Sequence, residues 1–338
     1  MPNRLIIGGL ALIIIIAMGL GTRVPKKTKA PLIGQYQKIN IAIMPYSFTG
    51  YTIFLAHNKG YFKAQGLEVT LKESYAHGMA TINAVIKGEV QIAASSETPF
   101  MNSVLKGDKI YIIATTITAN NHLAIIARKD KGIMTPGDLK NKTIGVTMGS
   151  NGEYFLDMVL QLNGLSQGDI KRINVQPAQM VEKLENAEMD AITTWNPQKF
   201  KAQKAMGKNG VTFDADELYS PLFVVVASQD YVKSNPEIIK KVVKALYEAS
   251  KFIIKNPNES YEIVAKEIQA DAETIKEYAA TYHFRLSLEQ SLITTLENQT
   301  HWALKDKLKI MGKMPNFLHS IYVDALEEIA PENVTIIR

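Results

Sequence analysis

The chain has 338 residues, of which 46% are hydrophobic and 21% charged, and its formal net charge is +5. That is a globular composition with enough length for two cores. The basic residues are dispersed, with no arginine cluster and no interleaved aromatics, which argues against a nucleic-acid surface. With no cysteine, the chain has no disulfide, no thiolate nucleophile, no cysteine-based zinc site and no cysteine to carry a lipid tether.

Residues 5–20 form an almost unbroken apolar run preceded by Arg4. Its length suits an export segment better than a comfortable spanning helix. Gly19 and Gly21 offer small residues for cleavage near Thr22. Arg23, Lys26, Lys27 and Lys29 follow, and positive charge there opposes translocation. Residues 1–21 are therefore read as a signal peptide or as an uncleaved N-terminal membrane anchor, and residues 22–37 as a linker.

Residues 38–44 alternate and are β-branched, which predicts a first strand, with Pro45-Tyr46-Ser47-Phe48-Thr49-Gly50 as the loop after it. A helix is expected over 51–63 and a second strand over 67–71. Met79, Ile82 and Val85 or Ile86 recur at helical spacing, and Gly88 stands where a helix ends in a left-handed residue. Residues 90–94 read as a strand buried on both faces. Ser95 and Ser96 follow, just before Glu97-Thr98-Pro99, where a new helix can start. Further strands are expected at 110–116, 122–127, 140–146, 189–194 and 222–227. Helices are expected at 154–162 and 177–186, and throughout most of the chain from Asp230. Ser150 and Glu153 have capping-box spacing. The pattern Gly88-Glu89-Val90-Gln91-Ile92-Ala93 returns as Ala187-Glu188-Met189-Asp190-Ala191-Ile192, so each half carries a helix, a tight turn and a strand opening into a polar corner. Alternating strands and helices predict doubly wound, parallel α/β sheets.

An ordered series of short motifs resembles a known family. Met44-Pro45-Tyr46 leads into Ala56-His57-Asn58-Lys59-Gly60-Tyr61-Phe62 and Gly66-Leu67-Glu68-Val69. The stretch from Gly78 to Pro99 follows, then Gly107, Asp138-Leu139-Lys140, Ile144-Gly145-Val146 and Trp195-Asn196-Pro197. From Lys38 onward the chain resembles the solute-binding proteins of nitrate, sulfonate, taurine and bicarbonate ABC importers, a group that includes binders of thiamine-pyrimidine precursors. Gln91 stands where the family often has Asp. The resemblance implies a two-lobed type II periplasmic-binding-protein fold whose doubly wound sheets are joined by two crossover strands. Lobe 1 is expected at 38–122 plus 228–338, and lobe 2 at 123–227 with the hinge strands. It also implies delivery of solute to a membrane permease, with no cofactor, no metal and a monomeric protein.

In open α/β sheets ligands sit beyond the carboxyl ends of strands, and two facing lobes make a cleft. The candidate contacts are therefore the polar corners: Tyr46 and Ser47, Ser95, Ser96 and Glu97, Asn120 and Asn121, Gly149, Ser150 and Asn151, and Trp195 with Asn196. Strand-to-helix junctions present unpaired N–H groups suited to an anion or a carbonyl. Glu97 reads either as a partner for a ligand ammonium or as a residue favoured by the helix dipole. Trp195 suits an apolar wall. His57, His77 and His122 lack metal-ligand spacing, and solvent or capping roles are expected for them. None of these corners holds Lys or Arg, so backbone N–H groups, hydroxyls and amides are expected to hold a small anion or a neutral polar molecule. The expected function is capture of a sulfonate, taurine or nitrate-like anion outside the cytoplasm, without catalysis. Two other functions compete with this reading. An enzyme of thiamine-pyrimidine synthesis on the same fold relies on a cysteine-rich segment, which this chain lacks. A ligand-sensing receptor usually carries a signalling domain, and none is recognisable up to Arg338.

Overall fold

The computed structural model describes residues 36–45, 47–214, 218–307 and 313–338. The expected export segment, nearly all of the linker and Tyr46 lie outside the described residues. In chain order the strands are β1 (Gln37–Ala42), β2 (Leu67–Lys72), β3 (Ile92–Ser96), β4 (Ile110–Ala119), β5 (Leu123–Arg128), β6 (Thr143–Val146), β7 (Lys171–Asn174), β8 (Ala191–Trp195), β9 (Gly210–Phe213), β10 (Leu222–Ser228) and β11 (Tyr282–Ser287). They form two sheets, ordered β11-β4-β10-β3-β1-β2 and β7-β6-β8-β5-β9, with helices between the strands. The fold is the two-lobed type II binding-protein arrangement, one lobe on each sheet.

Each sheet is mixed rather than wholly parallel. Strands β2, β1 and β3 pair in parallel, as do β7, β6 and β8. The antiparallel pairs are β3–β10, β10–β4 and β4–β11 in one sheet, and β8–β5 and β5–β9 in the other. The connectivity explains the difference. Helices cross over between the parallel strands, whereas β4 leaves the first sheet and reaches β5 of the second after three residues, 120–122. The chain returns between Phe213 and Leu222. Because β4 neighbours β10 and β5 neighbours β9, the two connections join adjacent antiparallel strands at both ends. The expected lobe boundary moves accordingly: residues 222–227, assigned to lobe 2 from the sequence, are β10 and lie inside the first sheet.

Continuous apolar strands bury both faces, and their alternation divides the second core in two. On β5, Leu123, Ile125 and Ala127 join Ile144, Val146, Phe155 and Leu156 on one side. Ala124 and Ile126 join Val175, Met180, Leu184 and Ile192 on the other. In the first lobe the long helix Pro236–Lys255 buries Ile239, Val242, Val243, Leu246, Ala249 and Ile253, an apolar stripe at 3–4 residue spacing.

The repeated sequence pattern is a repeated device. Gly88 and Ala187 both take left-handed backbone, with φ of 72° and 57°. Past the turn, the Gln91 side chain accepts from Asn40 N at 2.8 Å, and the Asp190 side chain accepts from Thr143 N at 2.9 Å. An amide thus replaces a carboxylate in tying a new strand to its parallel neighbour. The consequence is that β3 begins two residues later than expected, at Ile92, and runs through Ser96.

Three strands escaped the sequence reading. β7 and β9 have four residues each, and β11 exposes His283 and Arg285. All three are sheet edges, where short strands and exposed polar residues are common and erase the apolar signal.

Ile117 on β4 is fully buried, so Ile117→Ala should lower unfolding free energy by about 2–5 kcal/mol. Ile254, 64% exposed, should cost no more than about 0.5 kcal/mol on the same change. Urea titrations of both variants check the contrast.

Candidate ligand-binding cleft

Loops at the carboxyl ends of parallel strands from both sheets meet around two adjoining chambers. The outer one has a volume of about 300 Å³. From the first lobe come Met44, Pro45 and Ser47 after β1, and Tyr75 and Ala76 after β2. From the second come Gln176, Pro177 and Ala178 after β7, then Trp195, Pro197 and Gln198 at the end of β8. The volume is at the lower end of the range for small-molecule sites, and the walls are mostly apolar. Met44 and Trp195 also line the inner chamber, whose volume is about 20 Å³, room for about one water.

Three helices begin on the inner chamber. Gly78 opens the helix Gly78–Ile86, Ser96 is the N-cap of Glu97–Leu105, and Ser150 is the N-cap of Asn151–Leu162. The first N–H groups of a helix have no carbonyl one turn earlier to bond, and the helix dipole places partial positive charge there. Thr49, Asn151 and His122 add polar side chains, and Phe223 and Pro99 complete the wall. No Lys, Arg, Asp or Glu lines either chamber among the described residues. Gly78 is required sterically, since a Cβ there would meet Ser95 Oγ at 2.6 Å and Pro99 Cγ at 3.1 Å.

Of the residues nominated from sequence, Ser96, Ser150, Asn151 and Trp195 come together on the inner chamber, from both lobes. Ser47 and Trp195 line the outer one. Ser47 Oγ also accepts from Thr49 N at 3.3 Å, holding the loop after β1. The Ser96 side chain makes no capping bond, so plain N-capping does not account for it. Ser150 does cap: its Oγ donates to Thr147 O at 2.7 Å and accepts from Gly152 N at 3.2 Å. Glu153 completes no capping box with it, because its Oε2 accepts from Gly149 N at 2.6 Å instead. Gly149 has φ of 80°, a left-handed backbone that suits glycine, and its carbonyl accepts from Asn102 Nδ2 of the first lobe at 3.3 Å.

Other nominated residues serve elsewhere. Ser95 is fully buried and its Oγ donates to Gly78 O at 3.2 Å, away from both chambers. Glu97 lines neither chamber. It is fully buried and accepts from Leu222 N at 3.0 Å, Gln299 Nε2 at 2.9 Å and the Tyr219 hydroxyl. Burial raises its carboxyl above the ordinary carboxylate range, against the opposing effect of these donors. Asn120 bonds Ser220 Oγ at 2.7 Å and His283 Nε2 at 3.2 Å, and so ties together the two connections and β11. Asn196 Nδ2 donates to Asn121 O at 3.4 Å, and both residues line a separate cavity of about 350 Å³ with Lys199.

His122 was expected to be solvent-facing or capping and is neither. It is 3% exposed, with Nδ1 2.6 Å from the Tyr282 hydroxyl and its ring edge-to-face with Phe223 at 5.1 Å. Burial, and then the Lys199 charge, push its pKa down to about 3, so the ring is neutral near pH 7. Thr49, Gly78, Tyr75 and Pro177 were likewise missed as lining residues. Tyr75 and Pro177 lie beyond strand ends, a signal that the β7 reading would have supplied for Pro177.

A family model described as NMT1/THI5 like matches residues 47–260. The taurine-binding periplasmic protein of Escherichia coli is 24% identical over 229 residues, covering 66% of this chain and 69% of that protein. Among solved structures, the alkanesulfonate-binding protein SsuA from Xanthomonas axonopodis pv. citri, bound to MOPS, aligns with a TM-score of 0.73 at 16% identity. It covers 86% of this chain and 99% of that one. The periplasmic nitrate-binding protein NrtA from Synechocystis PCC 6803 aligns with a TM-score of 0.71 at 14% identity, covering 88% and 89%.

The depressed His122 pKa sets a pH dependence. The unfolded chain takes up this proton near pH 6.5 and the folded one near 3, so stability is lost as pH falls between those values. The slope from one such group is at most about 1.4 kcal/mol per pH unit. Urea midpoints measured from pH 7 to pH 4 should fall more steeply for the native protein than for His122→Asn, whatever their offset at pH 7.

Proposed function

Since the chain belongs to the NMT1/THI5-like family, we propose that it is an exported solute-binding protein that hands a small organic sulfonate to a membrane ABC permease and catalyses no reaction. The observation that carries this reading is the pairing of the two chambers. Three helix starts around the inner chamber suit an anionic head, and fixed N–H dipoles stabilise it without a side-chain countercharge. The apolar outer chamber suits a short hydrocarbon or ring attached to that head. The sulfonate and taurine binders among the relatives support the same head group. The relatives described as periplasmic support a site of action outside the cytoplasmic membrane, and among the described residues no helix is long and apolar enough to cross a membrane.

A sulfonate is larger than the inner chamber as it stands, so binding requires the lobes to part and reclose. Among the described residues, the short connection at 120–122 leads from one sheet to the other, and it is the proposed hinge. Tyr75 and Trp195 on the outer chamber favour a second reading, a flat uncharged heterocycle stacked between the lobes.

Calorimetric titration separates these readings. From methanesulfonate to butanesulfonate each added CH₂ buried in the outer chamber should strengthen binding by about 0.8 kcal/mol, about fourfold. Nitrate, with no tail, should bind more weakly than any of them. Equal affinity along the series would mean the outer chamber takes no tail, and binding of an uncharged pyrimidine alone would favour the second reading. Ser96→Ala and Asn151→Ala should each weaken the sulfonate by about tenfold, the loss of one hydrogen bond to a charged group. Ser95→Ala should leave affinity unchanged, since its hydroxyl is turned to Gly78.

A further inference from the structure

The corner at 149–151, proposed above as the second lobe's grip on the ligand, is not held by its own lobe alone. Glu153 and Asp157 sit one turn apart on the helix Asn151–Leu162 and are 2% and 1% exposed. Two carboxylates buried this close are costly unless both are paired. Arg172 of β7 serves both: its guanidinium lies 3.8 Å from Glu153 Oε1 and hydrogen bonds Asp157 with both terminal nitrogens. Gln167 Nε2 adds a bond to Asp157 Oδ2 at 2.7 Å. The remaining donor comes from the other lobe. Trp302, at the end of the helix Gln290–Trp302 in the first lobe's core, donates its indole N–H to Asp157 Oδ2 at 2.8 Å. Its ring also meets Tyr154 edge-to-face at 5.1 Å.

At the far end of this network, Glu153 Oε2 holds Gly149 N at 2.6 Å, immediately before the N-cap Ser150. A buried charge network responds as a unit, because removing one partner leaves the others undercompensated. We propose that Trp302 and Asp157 are positioning residues that couple contact between the lobes to the shape of the 149–151 corner. When the lobes meet, the indole N–H completes the shell of Asp157. Arg172 is then shared in the geometry that keeps Glu153 on Gly149. When the lobes part, Asp157 draws Arg172 more fully to itself and Glu153 loosens its hold. The corner is therefore ordered for its ligand mainly in the closed arrangement.

Trp302 touches neither chamber, so a role confined to packing and a role in positioning predict different things. Hydrogen exchange followed by mass spectrometry on the full-length protein distinguishes them without any ligand. Trp302→Phe keeps an aromatic ring against Tyr154 and removes only the N–H, and Asp157→Asn keeps an acceptor but removes the charge. Trp302→Phe should speed exchange in a peptide covering 147–153 by about tenfold, the equivalent of one lost hydrogen bond to a charged group, whereas Asp157→Asn, which leaves Arg172 to Glu153, should not speed it. A peptide covering the helix Met180–Glu185 in the same lobe should be unchanged. Unchanged exchange at 147–153 in Trp302→Phe, or acceleration there in Asp157→Asn, would overturn the proposal. So would equal acceleration across the second lobe, which is general destabilisation. Failure of alkanesulfonates to bind would remove the proposed ligand class and leave this result readable, because the exchange measurement uses the protein alone.

Discussion

One buried carboxyl ties the first lobe and the return connection to a helix start on the cleft. Glu97 opens the helix that starts on the inner chamber, and its oxygens collect a backbone N–H from β10, a hydroxyl from the return connection and an amide from the helix Gln290–Trp302. Three separate parts of the chain are thereby fixed to the same helix start. A carboxyl in that position is costly to ionise, which is why burial raises its pKa. The donors around it are what make the position tolerable in either protonation state. A hydrocarbon side chain of similar volume would fill the space, but it would take the Glu97 acceptor from Leu222 N–H and leave Gln299 Nε2 only the Tyr219 hydroxyl, and a buried group that loses its partner is costly.

How far the sequence announced this arrangement depends on the kind of signal. The apolar strands β1, β4, β5, β8 and β10 were readable, because burial on both faces leaves a continuous hydrophobic run. The turn before β3 and its counterpart before β8 were readable as a repeated pattern, down to the left-handed positions at Gly88 and Ala187. Three of the four edge strands, β7, β9 and β11, were not, since they are short or carry solvent-facing residues. Among the candidate contacts, the adjacent pair Ser95 and Ser96 is instructive. Neighbouring residues on a strand point to opposite sides, so only one of the two can reach a given chamber. Nothing in the sequence tells which; in the structure Ser96 lines the inner chamber and Ser95 Oγ turns to Gly78 O. The partners of Glu97, which stands in the first turn of its helix, and the burial of His122 were hidden for a related reason. Gln299 at the one and Tyr282 at the other are far away in sequence, and long-range satisfaction of a polar group leaves no local mark.

The two chambers solve different physical problems. Around the inner one, charge complementarity comes from helix starts, whose dipoles are built into the fold and whose N–H groups are oriented before a ligand arrives. A lysine or arginine in the same place would have to lose hydration each time the lobes closed, and its flexible stem would have to be ordered. The outer chamber needs no such orientation. Pro45, Pro177 and Pro197 give it stiff apolar walls, with Trp195 spanning the boundary between the chambers. Specificity for a head group and tolerance for a tail then reside in separate sets of residues.

Closure links these features. The lobes touch at the connections, through Asn102 and the Gly149 carbonyl, and through Trp302 and Asp157. The last two of these contacts involve the 149–151 corner or the helix that follows it, while the lobes also meet where Phe200 packs edge-to-face on Tyr278. A ligand gripped at that corner therefore acts on the same groups that hold the lobes together. By linkage, whatever free energy closure contributes to ordering the corner must reappear as a ligand-induced preference for the closed form. The inner chamber is the place where this preference can be strongest, because it is the one part of the cleft whose walls come from the starts of helices in both lobes at once.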